Sequence, residues 1–173
     1  NADTRPGDVT FTTSYLEDLR NVISGLDADA IATAIDWMRQ TRDEDGTIFI
    51  CGNGGSASIA SQMVVDIVKG ASLRKAVRFR MIGLTDSIAT ITAYANDEGY
   101  ETVFEEPLRN FARPGDLVIG ISGSGNSENV LRAMRLAGET GCRTVGLTTG
   151  EGGGLKDLVD LALAVPSSHM GRL

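Results

Sequence analysis

Ile119-Gly-Ile-Ser-Gly-Ser-Gly-Asn-Ser-Glu128 is the stretch from which the rest of the chain is read. Leu117 to Ile121 is a short apolar run, the pattern of a buried strand. Three serines follow, Ser122, Ser124 and Ser127, spaced by Gly123, Gly125 and Asn126, and Val130 to Thr140 then reads as a helix. The order strand, small-residue loop, helix has a physical use. A helix N-terminus presents unpaired N–H groups and the positive end of the peptide dipoles. Glycines let the backbone approach a ligand and serine hydroxyls add donors, so the loop suits a phosphate without Lys or Arg. An ordinary βα turn with Ser127 as helix N-cap would use the same residues.

A second loop of this kind weighs toward the phosphate. Thr47 to Cys51 is another strand-like run, followed by Gly52-Asn53-Gly54-Gly55-Ser56 and a helical stretch from about Ser56 to Val68. Neither loop is a nucleotide fingerprint. The sequence has no G-x-x-x-x-G-K-[ST], and Gly52-x-Gly54-Gly55 lacks the dinucleotide spacing. Two anion-ready loops at the C-terminal ends of two strands imply one phosphorylated ligand held between them.

Working outward, residues 1–12 read as a disordered lead and residues 13–173 as a single domain. Ser14 with Glu17 makes a capping box for a helix whose Tyr15, Leu16, Leu19, Val22, Ile23 and Leu26 share one face. A second helix runs from about Asp29 to Arg42 with Ile31, Ile35 and Met38 inward, ended by Asp45-Gly46. Arg80 to Leu84 reads as the second strand, and Thr85-Asp86-Ser87 opens a helix through Tyr94. Asn96 to Tyr100 reads as a polar turn, and a helix near Thr102 to Phe111 closes at Pro114-Gly115. Arg143 to Leu147 is the fourth strand, Gly150 to Gly154 a flexible loop, and Leu161 to Val165 a fifth strand stopped by Pro166. Alternating strands and helices predict a parallel sheet covered on both faces. The loops Gly52–Ser56, Thr85–Ser87 and Ser122–Ser127 then share one sheet edge, the expected ligand site.

The totals narrow the classes. At 42% hydrophobic and 23% charged the chain is of the globular class, with no apolar run long enough to span a membrane and no signal peptide. A net charge of −7 disfavours nonspecific nucleic-acid binding. The basic run Lys69 to Arg80 reads as a solvated linker. Cys51 and Cys142 read as small core residues in a reducing, cytoplasmic setting. One His and two Cys make no zinc site by themselves.

Cys51-Gly-Asn-Gly-Gly-Ser56, Ala95-Asn-Asp97 and Gly120-Ile-Ser-Gly-Ser-Gly-Asn-Ser127, in that order, resemble the sugar isomerase (SIS) family, and within it the phosphoheptose isomerases. Thr148-Thr-Gly-Glu-Gly-Gly-Gly154 and Val165-Pro166 extend the resemblance, which runs from about Ser14 to Val165. It implies a three-layer, flavodoxin-like, five-stranded parallel sheet, with two extra N-terminal helices that help to build a homotetramer. It implies interconversion of sedoheptulose 7-phosphate and a heptose 7-phosphate. Ser122, Gly123, Ser124 and Ser127 would hold the phosphate; Asn53, Gly54, Gly55 and Ser56, with Asn96 and Asp97, would lie along the sugar.

The departures fall on the chemistry. The family carries a His and, four residues later, a Glu on the helix after the first glycine loop; both serve catalysis and can bind zinc. Gln62 and Asp66 stand there in this chain. A spacing of four places them on one helical face. Aldose–ketose isomerisation needs a carboxylate to carry a proton between C1 and C2, and Asp66 is the candidate, with Gln62 beside it. Gln62 is no acid and a poor zinc ligand, so the expectation is that no cofactor is required, although the resemblance allows zinc. The family's other catalytic His lies on a helix after the fifth strand, so a helix is expected beyond Leu173; His169 does not align with it and reads as a loop residue. Two readings follow: an isomerase acting through an enediol, or a phosphosugar sensor or assembly protein of the same fold that has lost the chemistry.

Overall fold

The computed structural model describes residues 6–167. Helices α1 (Pro6–Ser24) and α2 (Ala28–Asp43) precede strand β1 (Thr47–Gly52). Next come helix α3 (Gly55–Val65), a π-helical turn (Asp66–Ala71) and strand β2 (Arg80–Gly83). Helix α4 (Ile88–Asp97), a 3-10 turn (Tyr100–Thr102) and helix α5 (Glu105–Phe111) lead to strand β3 (Leu117–Ile121) and helix α6 (Glu128–Thr140). Strand β4 (Arg143–Thr149), helix α7 (Gly153–Leu158) and strand β5 (Leu161–Val165) complete the described chain. The five strands form one parallel sheet in the order β2-β1-β3-β4-β5.

The sheet is covered on both faces, as parallel pairing requires. Along β1, Ile48 and Ile50 join Leu117, Ile119, Ile121 and Val145 in one core, packed by Met38 of α2 and by Ala60 and Met63 of α3. Phe49 and Cys51 point the other way, into a second core with Val118, Leu108, Val130, Met134 and Leu155. The alternation of the strand sends neighbouring residues to opposite cores. Pairing aligns Gly52 with Ile121 and Ile121 with Leu147, so the loops that follow β1, β3 and β4 leave the sheet side by side.

The N-terminus departs from its sequence reading. Residues 6–12 are helical rather than a disordered lead, because α1 starts at Pro6. Proline suits the first turn of a helix, where its missing N–H is not needed, and Asp8 there favours the N-terminal dipole. Ser14 therefore lies inside the helix and forms no capping box. Of the inward face predicted for α1, Tyr15, Leu19, Val22 and Leu26 are half-buried, whereas Leu16 and Ile23 are exposed at 57% and 59%. On α2, Ala34, Met38 and Thr41 are buried and Ile31 is half-buried, whereas Ile35 is exposed. Asn96 and Asp97 form the last turn of α4 rather than a polar turn. The helical stretch after the first glycine loop changes winding at Asp66, and the glycine-rich segment after β4 is partly helix α7. His169 lies outside the described residues.

Candidate functional site

The loop after β1 turns on Gly54, at φ 55° and ψ −120°, a conformation open to glycine and costly for a residue with a Cβ. It brings the chain directly into α3, whose Ser56 N–H donates back to the Asn53 carbonyl at 3.0 Å. The loop after β3 is closed by its own serines. Ser122, 3% exposed, meets the Ser127 hydroxyl at 2.9 Å, and the Ser127 N–H donates to the Ser122 oxygen at 3.4 Å. Ser127 is the N-cap of α6 by position, but its hydroxyl is turned to Ser122 instead of to the helix amides. Ser124 stays exposed, its hydroxyl accepting the Asn126 N–H at 3.2 Å.

The loop after β4 buttresses this one. Leu155 N–H donates to the Gly125 carbonyl at 2.8 Å, Gly154 N–H to Asn126 Oδ1 at 3.0 Å, and the Thr149 hydroxyl to the Gly123 carbonyl at 2.8 Å. Gly125 makes this possible. Its φ is 67°, and a Cβ built on it would lie 1.8 Å from the Gly152 carbonyl oxygen.

Where the loops meet there is a cavity of about 280 Å³, lined by Asn53, Gly55, Ser56, Ile59, Ile121, Gly123, Leu147, Thr148, Thr149 and Val165. A second hollow of about 360 Å³ shares Gly123 and Thr149 with it and is edged by Ser124, Asn126 and Gly150 to Gly153. Of the residues singled out from the sequence, Asn53, Gly55, Ser56, Gly123 and Ser124 line these two spaces, and Ser122 and Ser127 lie paired in the same loop. Gly54 shapes the first loop without lining the cavity.

Asn96 and Asp97 are elsewhere. They bond to each other, Nδ2 to Oδ1 at 2.7 Å, and Asp97 edges a separate 150 Å³ hollow with Ala93, Tyr94 and Glu98. Gln62 and Asp66 are exposed on their helix, with Gln62 Nε2 donating to Asp66 Oδ1 at 2.9 Å, and neither lines the cavity. The Asp66 N–H is shared between the Gln62 and Met63 carbonyls, and π winding begins at this residue. Zinc does not fit this pair. An amide oxygen is a weak zinc ligand, and no three His, Cys, Asp or Glu side chains form a ligand group among the described residues.

The sequence reading quoted Thr148 and Thr149 in the later motif without giving them a place at the site, and missed Asn129 and Tyr100. The threonines could have been placed there: they end β4, the strand beside β3, on the ligand edge. Asn129, 3% exposed, and Asn53 exchange two amide bonds of 2.9 Å, and the Tyr100 hydroxyl donates to Asn53 Oδ1 at 2.9 Å. Nothing in the local sequence marks those partners, which lie 76 and 47 positions away.

The cysteines keep out of this chemistry. Burial pushes the Cys51 thiol up to about 12 and, with Asp116 nearby, that of Cys142 up to about 11. Both are free and buried.

Residues 13–149 match the SIS domain family. A phosphoheptose isomerase from Nitratiruptor sp. is 44% identical over 126 residues, covering 73% of this chain and 67% of that protein. One from Geobacter sulfurreducens is 37% identical over 164 residues, covering 93% and 86%. Among solved structures, the phosphoheptose isomerase of Neisseria gonorrhoeae superposes with a TM-score of 0.87 at 30% identity, over 98% of this chain and 90% of that one.

Proposed function

This chain belongs to the phosphoheptose isomerase family of SIS-domain proteins, and from that premise we propose that it interconverts sedoheptulose 7-phosphate and a heptose 7-phosphate through an enediol. The observation that carries the reading is the cavity between the loops after β1, β3 and β4, with small-residue backbone and hydroxyls on its rim and no nucleotide-binding fingerprint. The phosphate sits on the Ser122–Ser127 loop at the start of α6, where N–H groups and hydroxyls supply donors. The sugar runs from there toward Asn53 and Ser56.

Asp66 is the base. It takes the proton from the hydroxyl-bearing carbon beside the carbonyl as the carbonyl oxygen gains one, giving the enediol. It then returns that proton to the former carbonyl carbon as the other hydroxyl loses its proton and becomes the new carbonyl, so no atom is gained or lost. Its side chain is one methylene shorter than Glu, a difference of roughly 1 Å at the carboxylate. The π turn that begins at Asp66 supports its role, since such bulges recur at functional sites. Gln62 orients the carboxylate through their 2.9 Å bond. The reading needs no metal. It includes a homotetramer in the cytoplasm: Val9, Phe11, Leu16 and Ile23 of α1 are exposed at 57–71%, apolar surface suited to another subunit.

Incubation of the protein with sedoheptulose 7-phosphate, following heptose formation and melting temperature together, tests this. Turnover that Asp66→Asn removes is the expected result. A rise in melting temperature without turnover means the sugar phosphate binds and the isomerase reading is wrong.

A further inference from the structure

We propose that Asn129 and Tyr100 are positioning residues that hold the Asn53 amide in one orientation, so that it faces the cavity as a hydrogen-bond donor only. The inference rests on the reading of that cavity as a sugar-phosphate site.

The orientation follows from a group that has no choice. The Val130 N–H can only donate. It is shared between the Ser127 carbonyl and the Asn129 side chain, each 3.0 Å away, and an amino group in the second place would set donor against donor, so the atom there is the oxygen of Asn129. That turns the Asn129 amino group toward Asn53, whose oxygen accepts it at 2.9 Å. The Asn53 amino group donates back to the Asn129 oxygen at 2.9 Å. The Tyr100 hydroxyl fills the second acceptor position on the Asn53 oxygen, also at 2.9 Å. An amide offers two acceptor positions and two N–H donors. Both acceptor positions of Asn53 are taken, one donor is used, and one N–H remains for the cavity that Asn53 lines.

Flipping Asn53 would set its amino group against that of Asn129 and its oxygen against the Asn129 oxygen. Asn129 is 3% exposed, so water does not repair the loss. A fixed donor suits an oxygen that gains negative charge in the reaction, as the substrate carbonyl does on the way to an enediol. It suits a substrate oxygen that must donate much less well. Asn129 belongs to the first turn of α6, the helix that ends the phosphate loop, so one buried amide pair ties the sugar-facing loop to the phosphate-facing one.

The test is a double-mutant cycle read by calorimetric titration with sedoheptulose 7-phosphate and, separately, with inorganic phosphate. Tyr100 is 55% exposed, so Tyr100→Phe is expected to fold normally. It should weaken sedoheptulose 7-phosphate about three- to tenfold, the worth of one neutral hydrogen bond, and leave inorganic phosphate unchanged. In an Asn53→Ala background the same substitution should do nothing further, because Tyr100 acts through Asn53. Asn129→Asp, which keeps an acceptor for Val130 but sets oxygen against oxygen, should match Asn53→Ala. Additive effects of Tyr100→Phe and Asn53→Ala, or an equal loss of phosphate affinity, overturn the inference alone. Wild-type protein with no affinity for sedoheptulose 7-phosphate overturns the substrate reading and this inference with it.

Discussion

Adding a single methyl group to the loop after β3, in Gly125→Ala, should damage both stability and ligand binding. Gly125 has φ 67°, where an L-residue costs about 1–2 kcal/mol. The larger difficulty is space. The new Cβ would lie 1.8 Å from the Gly152 oxygen, 2.5 Å from the Gly152 carbonyl carbon and 2.9 Å from Gly153 Cα. All three are backbone atoms, so no side chain can swing aside, and the loops after β3 and β4 must part. Parting strains the 2.8 Å bond from Leu155 N–H to the Gly125 carbonyl, and with it the bond from Gly154 N–H to Asn126. At about 1 kcal/mol for each of the two bonds, added to the backbone cost, the total is about 3–4 kcal/mol. For a chain of this size that is a fall of roughly 5–15 °C in melting temperature. Gly138→Ala is the control. It lies in α6 with φ negative and nothing within 4 Å of its added Cβ, and should stabilise by about 0.4–1 kcal/mol. Thermal melting by circular dichroism reads the first effect and titration with inorganic phosphate the second. If Gly125→Ala melted within a degree of wild type and bound phosphate equally well, the packing of the two loops would not be what shapes the site.

Ser124→Ala should weaken phosphate binding by about 1–3 kcal/mol, the worth of a hydrogen bond to a charged group; a change within error in the same titration removes Ser124 from the site. Asp66→Asn should lower turnover of sedoheptulose 7-phosphate at least about 100-fold while phosphate affinity holds, as expected for loss of a general base; retained turnover assigns the proton transfer elsewhere. Alkaline stability should follow the buried thiols. From an ordinary value of 9.0, Cys51 is raised to about 12 and Cys142 to about 11. Below pH 9 both thiols are protonated folded or unfolded and their contribution is fully present. Above it the unfolded chain releases protons that the folded chain keeps, so stability falls by up to about 1.4 kcal/mol per pH unit for each thiol until the folded values are reached. Urea midpoints at pH 8, 9 and 10 measure the slope, which Cys142→Ala should shallow; an unchanged slope would mean Cys142 ionises freely in the folded protein.

Much of the sheet was legible because its strands are short apolar runs closed by glycine or proline. Leu117–Ile121 and Leu161–Val165 were read at their observed bounds. The flavodoxin-like order was available only through the resemblance, since strand spacing alone does not say that β1 lies between β2 and β3. Where the reading failed, local composition misled it. Asn96 and Asp97 are polar and precede Gly99, so they looked like a turn, yet α4 continues through them and breaks only where Gly99 takes φ 104°. Gly153 and Gly154 looked like flexible loop, yet they open α7, whose buried Leu155 docks it in the core. Pro6 and Asp8 carried a helix-start signal that the more familiar Ser14/Glu17 pattern masked.

The candidate site divides along the same line. What the backbone does at a strand end can be read from glycine and serine spacing, because those residues act where they stand. Ser122 and Ser127 are five positions apart and meet across one turn. Asn53, Tyr100 and Asn129 act only together, and the fold assembles them from the loop after β1, the 3-10 turn and the first turn of α6. Each taken alone is an unremarked polar residue. Their meaning appears once a backbone N–H, that of Val130, fixes which end of an amide is which. The same reasoning separates the two catalytic candidates from the cavity. A spacing of four put Gln62 and Asp66 on one face and their bond is formed, but the face is exposed and outside the cavity lining. For Asp66 to reach a substrate carbon, the ligand must extend past Ile59 along α3, or the winding at Asp66 must shift. A substrate whose reacting carbons lie far from its phosphate meets the first condition, and a seven-carbon sugar phosphorylated at its far end is of that kind. Shorter sugar phosphates should then bind through the same serine loop and fail to turn over.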